Sequence, residues 1–363
     1  MSKLCNPLQS LRSGHWFKLI CGASYQYLPA VQNLAWVYGL AGVDCIDVAA
    51  DPAVVTAARQ GLDRLDPALA RPWLMVSLND GEDPHFRKAQ FDPATCPPDC
   101  PRPCAQICPA LAIALPPQAN GGVVADRCYG CGRCLPLCPH DRIQGHSTVC
   151  QPQELLPPIL ALGIDAVEIH TQIDRRAGFL DLWQVLLPHL SSLKLVAISC
   201  PAGTGAVDYL WSLYRAIAPL PCPLIWQADG RPMSGDIGAG TTHATLTFAQ
   251  ALLAQGPPGY VQVAGGTNAY TVPKLGQLGL LRSPESPLLP LQGSPWVAGA
   301  AYGSYARRWL APWLETLGTE PDGLDPADSS VSRDPPGLMD AVARAKTLVL
   351  PLKQPHLHQR LSL

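Results

Sequence analysis

Charge is scarce in this chain. Asp, Glu, Lys and Arg make up 15% of its 363 residues, against about 25% in an average globular protein. Neither sign dominates: 26 Lys and Arg offset 28 Asp and Glu, for a net charge of −2. That balance argues against a nucleic-acid partner bound through a phosphate-neutralising face. No run reaches the ~18 uninterrupted apolar residues of a membrane span. Met1–Phe17 carries Lys3, Arg12 and His15 but lacks the apolar centre of a secretory signal, so the cytoplasm is the expected location. A dinucleotide fingerprint is missing too, since the first strand-to-helix turn reads Cys21-Gly22-Ala23-Ser24 rather than GxGxxG.

What is present is a folded, proline-punctuated chain. Hydrophobic residues reach 47%, too many for a disordered protein. The length suggests two or three domains at roughly 100–200 residues each. Short apolar runs alternate with helical patterns. Strands are expected at 17–23, 45–50, 72–78, 166–170, 193–199, 224–228, 260–264 and 297–302. Helices are expected at 29–40, 53–65, 154–162, 182–190, 207–217, 243–254, 272–279 and 307–317. Such alternation implies a parallel sheet, and eight units is the number that closes a (β/α)8 barrel of the TIM type. The expected division is barrel over 1–85 and 151–318, an insertion over 86–150, and a linker with a C-terminal helical tail over 319–363. The tail helix is expected at 338–348, ending at Pro351.

Two sets of residues mark the expected mouth of that barrel. The loops after strands seven and eight, Gly265-Gly266-Thr267-Asn268 and Tyr302-Gly303-Ser304-Tyr305, stand where such barrels hold phosphate. Gly265, Gly266 and Gly303 are therefore cofactor-binding candidates, with ordinary turn glycines as the alternative. Strand alternation pairs Glu168 with His170, Gln227 with Asp229, and Asp47 with Asp51. Buried polar side chains that satisfy each other explain this set best, which leaves His170 and Asp229 as weak catalytic candidates. A long Gly-rich loop, Asp229–His243, follows strand six.

Cysteine carries the strongest signal. Of 14, eight lie between Cys96 and Cys138, and in a cytosolic protein such a cluster points to metal or redox cofactors before disulfides. Cys128, Cys131, Cys134 and Cys138-Pro139 give C-x2-C-x2-C-x3-C-P, the bacterial ferredoxin run. Three thiolates on one tight loop reach three irons of one cubane, while the fourth serves the other cluster. Zinc would normally need two C-x2-C pairs at wider separation. Upstream, Cys96, Cys100, Cys104 and Cys108-Pro109 repeat the ending, but the first two gaps are each one residue longer. Pseudo-twofold logic assigns Cys128, Cys131, Cys134 and Cys108 to one [4Fe–4S] cluster, and Cys96, Cys100, Cys104 and Cys138 to the other. The widened loop makes an open iron, hence a [3Fe–4S] form, an alternative for the second. Cys5, Cys21, Cys45, Cys150, Cys200 and Cys222 stand alone and are expected as small buried hydrophobes. Because the block interrupts the third βα connection, the clusters should hang over the barrel mouth.

The whole pattern, from FKLICGASYQ through the ferredoxin block to WQADGRPMSGDIG and GSYAR, resembles the cyanobacterial light-dependent period family. The resemblance implies an iron–sulfur protein that conveys light-dependent redox state to the circadian clock, with clock input proteins as partners. A redox sensor is thus the first functional expectation, with no catalytic residue required. The second is an oxidoreductase whose clusters wire electrons to a flavin or small molecule in the barrel mouth. The missing nucleotide fingerprint makes flavin the less favoured cofactor.

Overall fold

The computed structural model describes residues 6–114, 122–147, 151–230, 242–283, 295–314, 317 and 335–354. Three strands open the sheet: β1 (Trp16–Gly22), β2 (Cys45–Ala49) and β3 (Trp73–Asn79). Each is buried along nearly its whole length, as strands covered on both faces must be. Beyond β3 the chain leaves the sheet and forms β4 (Arg87–Gln90), β5 (Ile113–Ala114), β6 (Gly122–Val123) and β7 (Gln144–Ser147). These pair only with each other, β4 with β7 and β5 with β6, both antiparallel. The chain then returns through β8 (Ala166–His170), β9 (Leu195–Pro201), β10 (Leu224–Asp229), β11 (Tyr260–Ala264) and β12 (Gly299–Tyr302). The order β1-β12-β11-β10-β9-β8-β3-β2 closes a parallel eight-stranded barrel.

α1 (Pro7–Arg12) precedes β1, and helices then alternate with the barrel strands: α2 (Leu28–Ala41), α3 (Pro52–Asp63), α4 (Pro103–Ile107) within the insertion, α5 (Pro152–Ala161), α6 (Arg176–Leu186), α7 (Ala206–Ile217), α8 (Thr242–Gln255), α9 (Thr271–Gln277) and α10 (Ser304–Leu314), with α11 (Leu338–Lys353) as the tail. Outward strand residues such as Phe17, Leu19, Ile46 and Val48 pack against the helices in the main core. Inward residues fill the barrel in layers, as the fold requires. The lowest layer is apolar and includes Trp16, Trp73, Met75, Ala197 and Ile225.

Several boundaries differ from the sequence expectation. The helix after β8 starts at Arg176 rather than Leu182, because Phe179, Leu182, Trp183 and Leu186 form its buried stripe. The last part of the expected 182–190 helix, from Leu187, belongs instead to a tighter 3-10 turn over Leu187–Ser192. Strand β12 starts at Gly299, where a Cβ would lie 1.8 Å from the Trp16 carbonyl oxygen. The tail helix runs on through Pro351. It docks on the barrel, and Lys353 reaches Asp44 and, at 3.1 Å, Ser10. Asp51 does not join Asp47 inside the barrel. It caps α3, its Oδ1 accepting from the amides of Ala53 and Val54 at 2.8 and 3.2 Å, because the residue before a helix with Pro at its first position is an ideal cap.

Candidate functional site

Above the apolar floor lies a polar layer. Lys18 of β1 is fully buried and ion-paired directly to Glu168 of β8, with Asp47 at 3.7 Å. Gln227 donates to Glu168 at 2.7 Å, Gln262 donates to Gln227 at 2.5 Å, and Trp16 donates to Gln262 at 2.6 Å. Ser77 donates to Asp47 at 2.8 Å. Burial pulls the Lys18 ammonium below its ordinary pKa, against the raising effect of Asp47. The same burial pushes the Asp47 carboxyl up, against Lys18. Two residues further along β8, His170 Nε2 lies 3.0 Å from Glu168 Oε1. His85, from the connection after β3, contacts Asp83 at 2.8 Å through Nδ1 and Asp229 at 3.6 Å through Nε2. Burial would raise the Asp83 carboxyl, but hydrogen bonding and charge from His85 and then charge from His170 outweigh it, so it sits below the usual carboxylate range.

The cysteines form two groups. Cys108, Cys128, Cys131 and Cys134 line one cavity of about 360 Å³, counting its open mouth. Burial, then the charges of Cys131, Cys128 and Cys108, push the Cys134 thiol up to about 12. Cys104 feels Cys138, Cys100 and Cys96 in the same way, after burial. A cationic metal centre is what stabilises thiolates grouped in this way. Backbone amides already serve the sulfurs: Ala89 donates to Cys128, Ala112 to Cys108 and Arg142 to Cys138, each at 3.3 Å. Among the described residues no three of these sulfurs lie within 4.8 Å of one another. Gly130 and Gly132 take φ of +70° and +73°, which lets the loop turn between ligands. At Gly130 a Cβ would lie 1.9 Å from the Arg87 carbonyl oxygen.

This cysteine loop forms one wall of the barrel mouth. A cavity of about 770 Å³, part of it open to solvent, is lined by Tyr129, Gly130 and Cys131 together with His85, His170 and Asp229. Gly265, Gly266, Gly303 and Arg307 line it as well. The phosphate-loop candidates thus reach the mouth together, and Gly265 and Gly266 take φ of +67° and +89°. Gly265 is packed so closely that a Cβ would lie 1.7 Å from Asp229 Oδ1. Residues 231–241 of the loop after β10 lie outside the described residues. The loop between β1 and α2 grips the insertion from below: Gln26 N donates to the Asp126 carbonyl at 3.0 Å, and Arg127 lies 4.6 Å over the Tyr27 ring.

Of the isolated cysteines, Cys21, Cys45 and Cys200 are buried and Cys222 is half-buried, while Cys5 and Cys150 lie outside the described residues. Burial pushes the thiols of Cys21 and Cys200 up to about 12, which suits inert packing groups. Lys18, Gln262, Asp83, His85 and Arg307 were not expected at the site. Lys18 had a legible signal, a lone charge amid an apolar strand; Asp83 and His85 sit in a connection whose course no periodicity predicts.

Two family models match the chain. The light dependent period A C-terminal domain covers residues 158–351, and the iron–sulfur cluster-binding domain of the same family covers residues 96–149. A curated protein named light dependent period A, from Synechococcus elongatus, is 54% identical over 350 residues, spanning 96% of this chain and 94% of that protein. Among solved structures, the tryptophan synthase alpha chain of Legionella pneumophila subsp. pneumophila matches with a TM-score of 0.47 at 10% identity, over 98% of this chain and 99% of that one. The tryptophan synthase alpha subunit of the Paris strain matches with a TM-score of 0.47 at 10% identity, over 97% and 98%. Among the described residues no helix is long and apolar enough to cross a membrane.

Proposed function

The chain belongs to the light dependent period A family, and from that premise we propose that it is a cytoplasmic redox sensor, reporting cellular redox state to circadian clock input proteins. Cys108, Cys128, Cys131 and Cys134 hold one [4Fe–4S] cluster, and Cys96, Cys100, Cys104 and Cys138 hold the other. Clusters held by these cysteines would supply one-electron chemistry, exchanged with a cellular reductant and oxidant. The chain's own residues translate that change of charge. Amides at the sulfurs set how readily the electron is accepted. Tyr129 stands between two ligands and under the Arg307 guanidinium, at 4.0 Å. Arg307 also donates to the Ile20 carbonyl at 2.7 Å, so a charge change at the loop bears on β1 and α10.

One observation carries the reading: Tyr129, Gly130 and Cys131 are a wall of the barrel-mouth cavity, so ligand loop and barrel share a surface. The test is complementation. In Synechococcus elongatus lacking its own copy, the wild-type chain should restore the dependence of circadian period on light intensity. Cys131→Ser should leave the period insensitive to light. A fully active Cys131→Ser would overturn the proposal.

A second reading has its own observation, since Gly265, Gly266 and Gly303 line the same cavity in the position of a barrel phosphate site. It makes the protein an oxidoreductase with a bound flavin. The sensor reading expects no flavin fluorescence in the supernatant of anaerobically purified, denatured protein. Near-stoichiometric flavin would replace the sensor with the oxidoreductase.

A further inference from the structure

Two histidines of the barrel-mouth cavity, His85 and His170, stand beside Asp83, and none of the three is a cluster ligand. Ligand atoms of Asp83, His85 and His170 all lie within 4.8 Å of one another. The imidazole rings are 5.1 Å apart, centroid to centroid. Asp83 is 6% exposed and His170 7%, so the carboxylate beside them has lost most of its water and needs a cation.

We propose that Asp83, His85 and His170 form a mononuclear site for a divalent transition ion of the zinc or ferrous-iron class, separate from the cysteine-held clusters. Two imidazoles and one carboxylate suit those ions rather than calcium or magnesium, which prefer oxygen-only shells. The surroundings are built as metal sites are built. His170 is braced at Nε2 by Glu168, 3.0 Å away, and Glu168 is itself fixed by Lys18 and by Gln227 at 2.7 Å. A carboxylate behind a ligating histidine sets its tautomer and orientation. Asp83 is held in place by its own turn, accepting from the His85 amide at 2.8 Å. Both histidines face the cavity, which leaves coordination positions for water or a small ligand.

The probe is zinc alone, added to anaerobically purified holoprotein with a weak chelator present, and metal is counted by elemental analysis. One zinc per chain should bind with cluster iron and visible absorption unchanged. His85→Ala and Asp83→Asn should each weaken zinc at least tenfold while retaining their iron. X-ray absorption at the zinc edge of the wild-type protein needs no variant, and it should show imidazole and oxygen neighbours without sulfur. A sulfur shell at about 2.3 Å, no zinc bound, or wild-type zinc affinity in both variants would overturn the site.

Discussion

Arg307, in the first turn of α10, lies 4.0 Å over the ring of Tyr129 in the cysteine loop. This contact joins the last barrel unit to an insertion that begins some two hundred residues earlier in the chain. A cation over a ring contributes about 0.5–2 kcal/mol, more when desolvated, and Arg307 is 7% exposed. Replacing it with Met should make the neighbouring cluster harder to reduce, because a positive charge nearby stabilises the added electron. The checking measurement is a redox titration followed by electron paramagnetic resonance. A more negative midpoint potential is expected, Arg307→Lys should restore most of it, and an unchanged potential would argue against electrostatic coupling.

Ligand assignment has its own test. Cys131→Ala should lower iron content by about one cluster and bleach part of the visible absorption, because Cys131 lines the cavity with Cys108, Cys128 and Cys134. Cys222→Ala should keep all the iron. Full iron in Cys131→Ala would remove that ligand set.

The upstream cluster should fail first in air. Three of its four ligands, Cys96, Cys100 and Cys138, are half-buried, against two of the other set, Cys108 and Cys131. The extra residues and the prolines of the upstream loop limit how it can tighten around a cubane. During timed exposure to air, a [3Fe–4S] signal should rise while the signal of the other cluster, read after reduction, persists. Equal loss of both would contradict this.

The barrel interior is also testable. Lys18→Met leaves Glu168 and Asp47 buried without their cation, and should cost about 3–5 kcal/mol. The double variant Lys18→Met/Glu168→Gln should regain part of that. Urea midpoints under anaerobic conditions decide it; equal midpoints for wild type and Lys18→Met would mean the pair is inessential.

Much of this was legible in the sequence. Alternation of runs such as Phe17–Ala23 and Ala166–His170 with helical stretches gave the eight-unit barrel, because buried parallel strands leave an apolar signature. Glu168, His170, Gln227 and Asp229 were legible as inward-facing because a strand has a period of two. Asp51 misled because the strand ends at Ala49, and beyond it that period no longer applies. Asp83, His85 and Arg307 were not legible, since their meeting depends on a loop path and on closure between the first strand and the last.

The central claim is that the charge state of the clusters is felt at the barrel mouth. Amide hydrogen exchange of the anaerobic holoprotein, dithionite-reduced against oxidised, measures it directly. The account predicts reversible changes in protection concentrated at residues 126–135 and 303–307, with the lower barrel unchanged. Identical exchange at those residues in the two states, with the clusters shown to have changed oxidation state, would contradict it.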